Sequence, residues 1–233
     1  MGDPLGWEVE EHREAPSAFH ARPLPEDGRR RAWVCRPDRA ALVLGSAQRD
    51  DVVDVAACDR AGVEVVRRRS GGGAVLVVPG ELVWVDVFVP TGDPVWEPDV
   101  GRAFHWLGEV WAGVLAELGV PAVVHRGPLV RTDWSPLVCF AGRGPGEVTA
   151  PAQGPRGPAP KLVGISQRRT RAGSRFQCAA LLRWAPEDLA GLLALPRVER
   201  SRLVTDVAAA GAAIPVAGAA LLDAFLRHLP PTP

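Results

Sequence analysis

The chain has 233 residues, of which 47% are hydrophobic and 23% are charged, and its formal net charge at pH 7 is zero. A chain of this length buries roughly 70–75% of its unfolded surface on folding, so it needs neither disulfides nor a structural metal. Its balanced charge gives no support to a general nucleic-acid binder or membrane-surface binder. No apolar run approaches the roughly 20 residues that a membrane-spanning helix requires. We therefore expect neither nucleic acid nor membrane among its partners.

The four cysteines, Cys35, Cys58, Cys139 and Cys178, are scattered along the chain. They form no C-x-x-C motif, and no pair of histidines stands at metal-ligand spacing. This pattern is typical of free thiols in a reducing compartment, and the N-terminus lacks the basic and apolar regions of a secretory signal. We expect a cytoplasmic protein without a metal site.

Residues 1–30 are polar and rich in proline, and they predict a loose N-terminal arm with room for one helical turn, ahead of a single domain over residues 31–233. The next predicted elements are strands over Arg31–Cys35 and Ala41–Leu44, a helix over Asp51–Ala61 that begins at Asp50 or Asp51 and ends at Gly62, and a strand over Val63–Arg67. Ala74–Val78 and Leu82–Val89 predict a hairpin that turns at Pro79-Gly80.

The clearest helix covers Pro98–Leu118, where apolar residues recur at three- and four-residue steps before Gly119. Further short strands are predicted over Ala122–His125, Leu137–Phe140, Leu162–Gln167 and Phe176–Leu182. From about residue 184 onward the sequence predicts helices over Pro186–Leu193, Ser201–Ala210 and Val216–Leu229. Strands in hairpin-like runs with inserted helices predict an α+β fold.

Lys161 is the only lysine, and the rest of the Lys and Arg total of 27 is arginine. Arginine is a broad planar fork, whereas lysine is a compact ammonium on a flexible stem. A lone lysine in this background indicates a narrow slot where a point charge reaches one oxygen. A surface lysine left by chance is the interpretation that composition alone leaves open beside it.

A run of three glycines after two arginines, Arg68-Arg69-Ser70-Gly71-Gly72-Gly73-Ala74, joins two predicted strands. Successive glycines let backbone N–H groups converge on an anion, and flanking arginines add charge-assisted contacts to phosphate or carboxylate. The segment is not a Walker A loop, because no Gly-Lys-Ser/Thr follows it. The alternative is a purely structural turn between the two strands.

Three segments, taken in order, resemble the lipoate–protein ligase and octanoyltransferase family. Arg68–Val75 is similar to its R-R-x-S-G-G-G-A-V signature, Lys161–Gln167 to its K-x-x-G-S/I-A/S-Q segment, and Leu42–Gln48 to its early V-x-G-x-x-Q strand and turn. These matches span roughly residues 40–182. The superfamily also includes the biotin–protein ligases, but the paired arginines before Ser70 are closer to the lipoate branch.

The resemblance implies an α+β fold like the class II synthetase and biotin-ligase catalytic domain, which is a mostly antiparallel sheet flanked by helices. It also implies that Lys161 stabilises charge on the acyl carbonyl or phosphate oxygen during transfer. The residues implied to bind substrate or phosphate are Arg68, Arg69, Ser70, Gly71, Gly72, Gly73, Ala74, Gly164, Ile165 and Ser166.

The resemblance leaves two reactions open. In the first, which the sequence favours, lipoate or octanoate is adenylated with ATP and Mg²⁺, and the acceptor lysine attacks the mixed anhydride. In the second, Cys139 stands where cysteine-dependent octanoyltransferases carry their nucleophile, and it passes an octanoyl group from acyl carrier protein without ATP or metal. Cys139 also lies in an apolar run, Leu137–Phe140, so packing is its alternative role. A non-catalytic acyl-binding module is a third interpretation.

Either reaction implies a lipoyl carrier domain or a glycine cleavage H-type protein as the acceptor. Val77-Val78 stand where lipoate ligases often have His-Asp, and only about fifty residues follow the last predicted strand. Both departures favour a transferase, or a ligase that works with a partner. Thr149–Pro160, rich in Pro, Gly and Ala, is interpreted as a mobile loop that is either a lid or a tolerated insertion. Asp86, among apolar strand residues, predicts a salt bridge to an arginine.

Overall fold

Two β-sheets position the segments that the sequence singles out. The computed structural model describes residues 6–152, 154, 157 and 159–231. Strands β1 to β10 cover, in chain order, Glu8–Glu14, Arg31–Pro37, Ala41–Leu44, Glu64–Arg67, Val75–Val77, Leu82–Pro90, Val123–Val124, Val148–Thr149, Lys161–Arg169 and Gly173–Leu181. Helices α1 to α6 cover Pro16–Ala21, Val55–Ala61, His105–Glu117, Pro186–Gly191, Arg197–Val207 and Gly218–His228.

The large sheet has seven strands in the order β1-β2-β6-β10-β9-β8-β7, and the small sheet has three in the order β4-β3-β5. Within the described part of the large sheet, β1 and β2 pair in parallel and the other pairs are antiparallel. Strand β6 is composed almost entirely of β-branched, aromatic and leucine residues and is buried along nearly its whole length. The structure therefore confirms the predicted α+β fold with a mostly antiparallel sheet flanked by helices.

Helices α3 and α6 cover one face of the large sheet. Leu107, Trp111 and Val114 repeat at three- and four-residue steps along α3 and are fully buried. Trp111 stacks on Phe225 of α6 with ring centroids 4.3 Å apart. This contact packs α6 against α3, and the opposite face of the large sheet packs against the small sheet through a separate core cluster.

The prediction of a loose arm over residues 1–30 is wrong for most of its length. Strand β1 adds to the edge of the large sheet beside β2, and Phe19 of α1 is 1% exposed. Trp7 is equally buried and donates from Nε1 to the carbonyl of Pro230 at 2.8 Å. The sequence of β1 does not look like a strand because only one of its faces packs against the protein, and many of its residues are charged. The single domain over residues 31–233 stays a prediction.

Two strand predictions also need correction. Val75–Val77 and Leu82–Pro90 are both strands, but they belong to different sheets and do not pair as a hairpin. The predicted strand Leu137–Phe140 is instead a single bridge at Val138, followed by a 3₁₀ turn over Cys139–Ala141. The apolar run is therefore a turn whose side chains pack inward. Its hydrophobic residues indicate that the segment is buried, and they do not indicate a β-strand.

The helix predictions hold with shifted starts. Helix α2 begins at Val55 after an Asp54 cap, whose carboxylate accepts from the Ala57 N–H at 2.9 Å, and not at Asp50 or Asp51. It ends as predicted at Gly62, where φ is +63°. The helix predicted from Pro98 begins as α3 only at His105, after a 3₁₀ turn. The three C-terminal helices are confirmed within a few residues.

The segment Thr149–Pro160 is described only in part. Thr149 ends β8, and Gln153, Pro155, Arg156 and Pro158 lie outside the described residues. The lid interpretation therefore stays a prediction. Across the described residues, no helix has the length and apolar character needed to cross a membrane.

The burial of Trp7 gives a test of the corrected N-terminus. Trp7→Ala should lower the free energy of unfolding by about 3–5 kcal/mol, because a buried ring and its cavity contacts are lost. Val9→Ala in the adjoining strand is the matched control, since Val9 is 40% exposed and should change the free energy by no more than about 0.5 kcal/mol. Urea unfolding measures both. Equal small effects would mean that the N-terminal strand contributes no packing.

Candidate active site

The glycine-rich turn between β4 and β5 folds around the Arg68 side chain. Arg68 donates from Nη2 to the carbonyls of Gly71 and Gly73 at 2.8 and 2.9 Å. Gly72 has φ of +100°, a conformation that L side chains rarely adopt, and a Cβ at Gly73 would lie 2.7 Å from the Val138 backbone. Glycine is thus required here for a tight turn and for close approach of the Cys139 segment.

Cys139 lies on the 3₁₀ turn that packs against this glycine turn. Its backbone N–H donates to the carbonyl of Ala74 at 3.0 Å, and its Sγ lies 3.9 Å from Nη2 of Arg68. The side chain is partly exposed, whereas Cys35, Cys58 and Cys178 are buried. Cys139 is therefore the accessible thiol of the four, and it faces a cation.

The lone lysine is buried at the start of β9. The Lys161 side chain is 1% exposed, and its Nζ lies 2.7 Å from Oε2 of Glu147, whose side chain is 6% exposed. Nζ also donates to the carbonyl of Cys139 at 2.9 Å and lies 5.2 Å from the centroid of the Phe140 ring. Lys161 can donate three hydrogen bonds, of which these contacts use two. Lys161 therefore lies in a narrow buried site with its ammonium against oxygen atoms, as its being the only lysine predicts.

Glu147 is the buried counter-ion of Lys161, and the sequence analysis assigns it no role. Its carboxylate accepts from the backbone N–H of Gly144 at 2.5 Å and of Ile165 at 3.3 Å, in addition to its ion pair with Lys161. Its position among glycines and prolines carries no pattern of its own. A buried lysine needs a counter-charge, and that requirement is the one signal that points to a nearby carboxylate.

An apolar slot with a cavity volume of about 50 Å³ opens beside Cys139. The slot is lined by His20, Val43, Arg68, Val75, Val77, Leu82, Trp84, Cys139, Phe140, Gly164, Ile165, Ser166, Gln177, Cys178 and Ala179. Its walls come from both sheets, so the slot lies between them. The mostly apolar character of these walls suits an apolar group.

A wider open cleft of about 660 Å³ adjoins the apolar slot. The open cleft is lined by Ala47, Gln48, Arg49, Val52, Gly71, Gly72, Gly73, Phe104, Leu129, Arg131, Ser135, Pro136, Leu137, Cys139, Gly142, Gly144, Pro145, Glu147, Lys161, Ile165, Ser166 and Gln167. Cys139, Ile165 and Ser166 line both spaces. Cys139 therefore stands at the junction of the slot and the cleft.

A polar network crosses the sheet behind the apolar slot. Asp86 is fully buried and forms an ion pair with Arg175, which confirms the predicted salt bridge. Gln177 donates from Nε2 to Oδ2 of Asp86 at 3.2 Å, and its Oε1 lies 3.4 Å from Oγ of Ser70. Ser70 Oγ in turn lies 2.9 Å from Oγ of Ser166. The network links the glycine-rich turn to strands β6, β9 and β10.

His20 closes this network at the slot wall. Its Nδ1 lies 3.2 Å from Nε2 of Gln177, and its ring lies 5.1 Å from that of Trp84. Burial lowers the pKa of His20 from 6.5 to about 4, and the nearby guanidinium groups of Arg175 and Arg68 act in the same direction, while the Asp86 carboxylate opposes them. His20 is thus neutral at pH 7. No sequence pattern singled it out.

Most of the residues expected at the site come together. Arg68, Gly164, Ile165 and Ser166 line the slot, and Gly71, Gly72, Gly73 and Lys161 line the cleft. Arg69 is exposed and lines neither space, and Ala74 is buried behind the turn. Cys178 faces the slot, and burial raises its pKa. The binding roles expected of these residues stay predictions.

The arrangement joins the parts that acyl transfer requires. An apolar slot ends at an accessible thiol, a buried ammonium lies beside that thiol's backbone carbonyl, and a cleft gives access from solvent. The family model for the lipoyl protein ligase A/B catalytic domain matches residues 20–214. The chain belongs to this family. No curated protein sequence matches it significantly.

Solved structures resemble this fold at low sequence identity. The bipartite lipoate protein ligase of Thermoplasma acidophilum matches with a TM-score of 0.71 and 17% identity, over 95% of this chain and 82% of that one. A lipoate-protein ligase A bound with ATP matches with a TM-score of 0.65 and 16% identity, over 95% and 82%. Plasmodium falciparum LipL1 in complex with lipoate gives 0.63 and 11%, over 96% and 61%. The likeness establishes the lipoate-ligase fold.

The lowered pKa of His20 predicts a pH dependence of stability. The unfolded chain binds a proton at His20 near pH 6.5 and the folded chain only near 4, so the unfolded state binds more protons between these values. The free energy of unfolding therefore falls as the pH falls from 6.5 to 4, by roughly 3 kcal/mol from this group.

His20→Gln removes this titration. The free energy of unfolding of wild type minus that of the variant should be constant above pH 7 and should decline below 6.5. Urea unfolding at pH 8, 7, 6, 5 and 4.5 measures the difference, and the two highest pH values serve as the internal control. A difference that stays flat down to pH 4.5 would contradict a buried neutral imidazole.

Proposed function

We propose that this protein attaches a medium-chain acyl group, lipoyl or octanoyl, to a lysine of a carrier domain, with Cys139 as the intermediate acyl acceptor. The observation that carries the proposal is the position of Cys139 at the junction of the apolar slot and the open cleft. The sequence favours ATP-dependent ligation. The geometry shifts our preference, because the thiol lies on an accessible turn and not in a buried strand.

The two spaces divide the substrate between them. The apolar slot suits the hydrocarbon part of the acyl group, since its walls are mostly aliphatic and aromatic. The open cleft suits the chains that deliver and receive the group. A lysine side chain that enters the cleft reaches the thiol without crossing the slot, so donor and acceptor can use one entrance in turn.

The reaction takes two balanced steps. The Cys139 thiolate attacks the carbonyl carbon of an acyl thioester, the bond to the donor thiol breaks, and that thiol leaves with the proton. The neutral amine of the acceptor lysine then attacks the Cys139 thioester, an amide forms, and the Cys139 thiol is released. Arg68 would face the thiolate charge from 3.9 Å. No ATP is consumed, because the thioester supplies the driving force.

Lys161 is proposed to stabilise the negative oxygen that develops in both steps. Its contacts with Glu147 and with the Cys139 carbonyl leave one N–H, and the ammonium lies in the wall of the cleft. Glu147 acts as a positioning residue, because its carboxylate holds Nζ at the Cys139 turn. Arg68, Ser70, Gly71, Gly72, Gly73, Gly164, Ile165 and Ser166 are proposed to border the acyl group.

ATP-dependent ligation is the second candidate. The open cleft is large enough for a nucleotide, and Gln167 lines it with both side-chain polar atoms buried and unpartnered in the described chain. The cations fit a triphosphate less well. Lys161 is paired with Glu147 and Arg49 with Asp51, so Arg131 is the one cleft-lining cation without an ion pair in the described chain, and several phosphate charges would have to share it. This fit makes ligation the weaker proposal.

The proposed acceptor is a lipoyl carrier domain or a glycine cleavage H-type protein, and the proposed donor is an acyl carrier protein. The Thermoplasma acidophilum ligase belongs to a lipoylation system together with its E2 lipoyl domain, which supports an acceptor of this kind. We propose a cytoplasmic location, where such carriers meet free thiols. A binding module without chemistry would keep the slot but would not need the accessible thiol.

Intact mass of an apo lipoyl domain tests the mechanism. One arm supplies octanoyl carrier protein without ATP, and the other supplies octanoate or lipoate with ATP and Mg²⁺. We expect acylation in the first arm, together with an acyl adduct on the protein itself, and loss of both in Cys139→Ala. Cys58→Ala is the matched control, since Cys58 is a buried thiol away from both spaces.

Acylation only in the ATP arm, unchanged by Cys139→Ala, would establish ligation and reduce Cys139 to a structural residue. No mass shift in either arm would favour the binding module.

Lys161→Arg tests the point-charge role. The guanidinium fork is too broad for the space between Glu147 Oε2, the Cys139 carbonyl and the Phe140 ring, so the transfer rate should fall about 10²-fold or more. Arg126→Lys on the surface is the control for exchanging the two cations. Melting temperatures report whether each variant folds. Near-normal transfer by a folded Lys161→Arg would remove Lys161 from the mechanism.

A further inference from the structure

One cation on the wall of the open cleft has no ion pair. Arg131 lines the cleft and is exposed. The other two cations that line the cleft are paired, Lys161 with Glu147 and Arg49 with Asp51. Within the described residues, the guanidinium of Arg131 has neither a carboxylate nor a hydrogen-bond acceptor beside it. It is therefore available to an anion that enters the cleft with a substrate.

Leu129 stands beside this cation on the same side of the chain. Val130, between the two, exchanges two backbone hydrogen bonds with Arg143, at 2.8 and 3.0 Å. Alternate side chains of extended backbone point the same way, and Leu129 and Arg131 both line the cleft. Leu129 is 55% exposed. The cleft therefore offers an apolar side chain next to a cation, on a backbone segment that hydrogen bonds hold in place.

A short connection ties this segment to Cys139. Thr132, next to Arg131, donates from Oγ1 to the carbonyl of Ala141 at 3.1 Å, and Ala141 ends the 3₁₀ turn that begins at Cys139. By standard backbone dimensions, the Cα atoms of Arg131 and Cys139 therefore lie within roughly 20 Å of each other. An arm that presents a thioester to Cys139 needs no greater length to reach Arg131.

The proposed donor, an acyl carrier protein, holds its thioester on a pantetheine arm. Outward from the sulfur, this arm has two amide units, a carbon with two methyl groups and a phosphodiester with a single negative charge. An extended chain of this kind spans roughly 15 Å. Its methyl groups and its phosphate are neighbours, as Leu129 and Arg131 are on the cleft wall. The single charge also matches the single unpaired cation of the cleft.

We propose that Arg131 and Leu129 bind the outer end of the donor's arm, where the guanidinium pairs with the phosphodiester and the leucine packs on the dimethyl carbon. This inference rests on the proposed function, in which a carrier thioester acylates Cys139. It deepens that function, because it names the part of the donor that the cleft recognises. Arg131 is a positioning residue, since it holds the arm and does not touch the reacting atoms.

Two synthetic donors test this site on the full chain. Both are S-octanoyl pantetheine, and one of them carries a methyl phosphodiester at the end where the carrier would be attached. Intact mass follows the acylation of Cys139 at low donor concentration, and the ratio of the two rates cancels any change in the thiol itself. We expect the phosphodiester donor to acylate the wild type about three- to tenfold faster, the usual worth of one hydrogen-bonded contact.

Variants assign the difference to the cation. Arg131→Gln should remove the advantage of the phosphodiester donor, and Arg131→Glu should reverse it, because a carboxylate repels the phosphate. Arg126→Gln is the matched control, since Arg126 is a surface arginine that does not line the cleft, and it should keep the wild-type ratio. Leu129→Ser should slow both donors alike, because both carry the dimethyl carbon. Unchanged rates in Leu129→Ser would remove the apolar half of the site.

Equal rates for the two donors in the wild type would overturn the phosphate contact while leaving transfer through Cys139 intact. Acylation of Cys139 by neither donor would instead overturn the proposed function, and this inference with it. A nucleotide supplies the same phosphate ester chemistry, so calorimetry with AMP is the remaining arm, and we expect no loss of AMP affinity in Arg131→Gln. Weaker AMP binding by Arg131→Gln, together with equal donor rates, would assign Arg131 to a nucleotide and favour ligation.

Discussion

The buried ion pair between Lys161 and Glu147 is the interaction on which the rest of the site depends. Its partners are 2.7 Å apart and almost fully buried, and taking two charges out of water usually leaves such a pair with little net stability to give. Its effect is geometric. Glu147 accepts from Gly144 and Ile165, and Lys161 donates to the Cys139 carbonyl. One pair of charges therefore ties three segments together at the thiol.

A second buried pair organises the slot in the same way. The register places Asp86 of β6 opposite Gln177 of β10, and Gln177 opposite Ser166 of β9. A row of three polar residues therefore crosses strands that are otherwise apolar. Arg175 neutralises the carboxylate at one end, and the hydroxyls face the glycine-rich turn at the other. Because hydrogen bonds link the residues of the row, directly or through Ser70, the row forms an ordered polar edge along the slot.

The sequence identifies the charged and glycine-rich residues of the site better than it identifies the residues that surround them. Composition identifies the lone Lys161, and spacing identifies the glycine run of Arg68–Ala74. The structure brings both beside Cys139. His20 and Glu147 carry no local pattern, because their importance comes from contacts with residues far away in the chain. The edge strand Glu8–Glu14 was missed for a related reason. A strand with one packed face and many charges looks like a polar arm until its partner is known.

The ion pairs of the cleft cations are our main reason for proposing thioester exchange ahead of ATP-dependent ligation. Thioester exchange brings no permanent anion to the thiol, and only a transient negative oxygen has to be met by an ammonium whose charge Glu147 already balances. Adenylation would bring several phosphate charges and would need cations free to receive them. Of the cleft cations in the described chain, Lys161 and Arg49 are paired with carboxylates, and Arg131 has no ion-pair partner. A site with one spare cation and an accessible thiol at the slot mouth therefore supports the proposed transfer of an acyl group from sulfur to nitrogen over the proposed ligation.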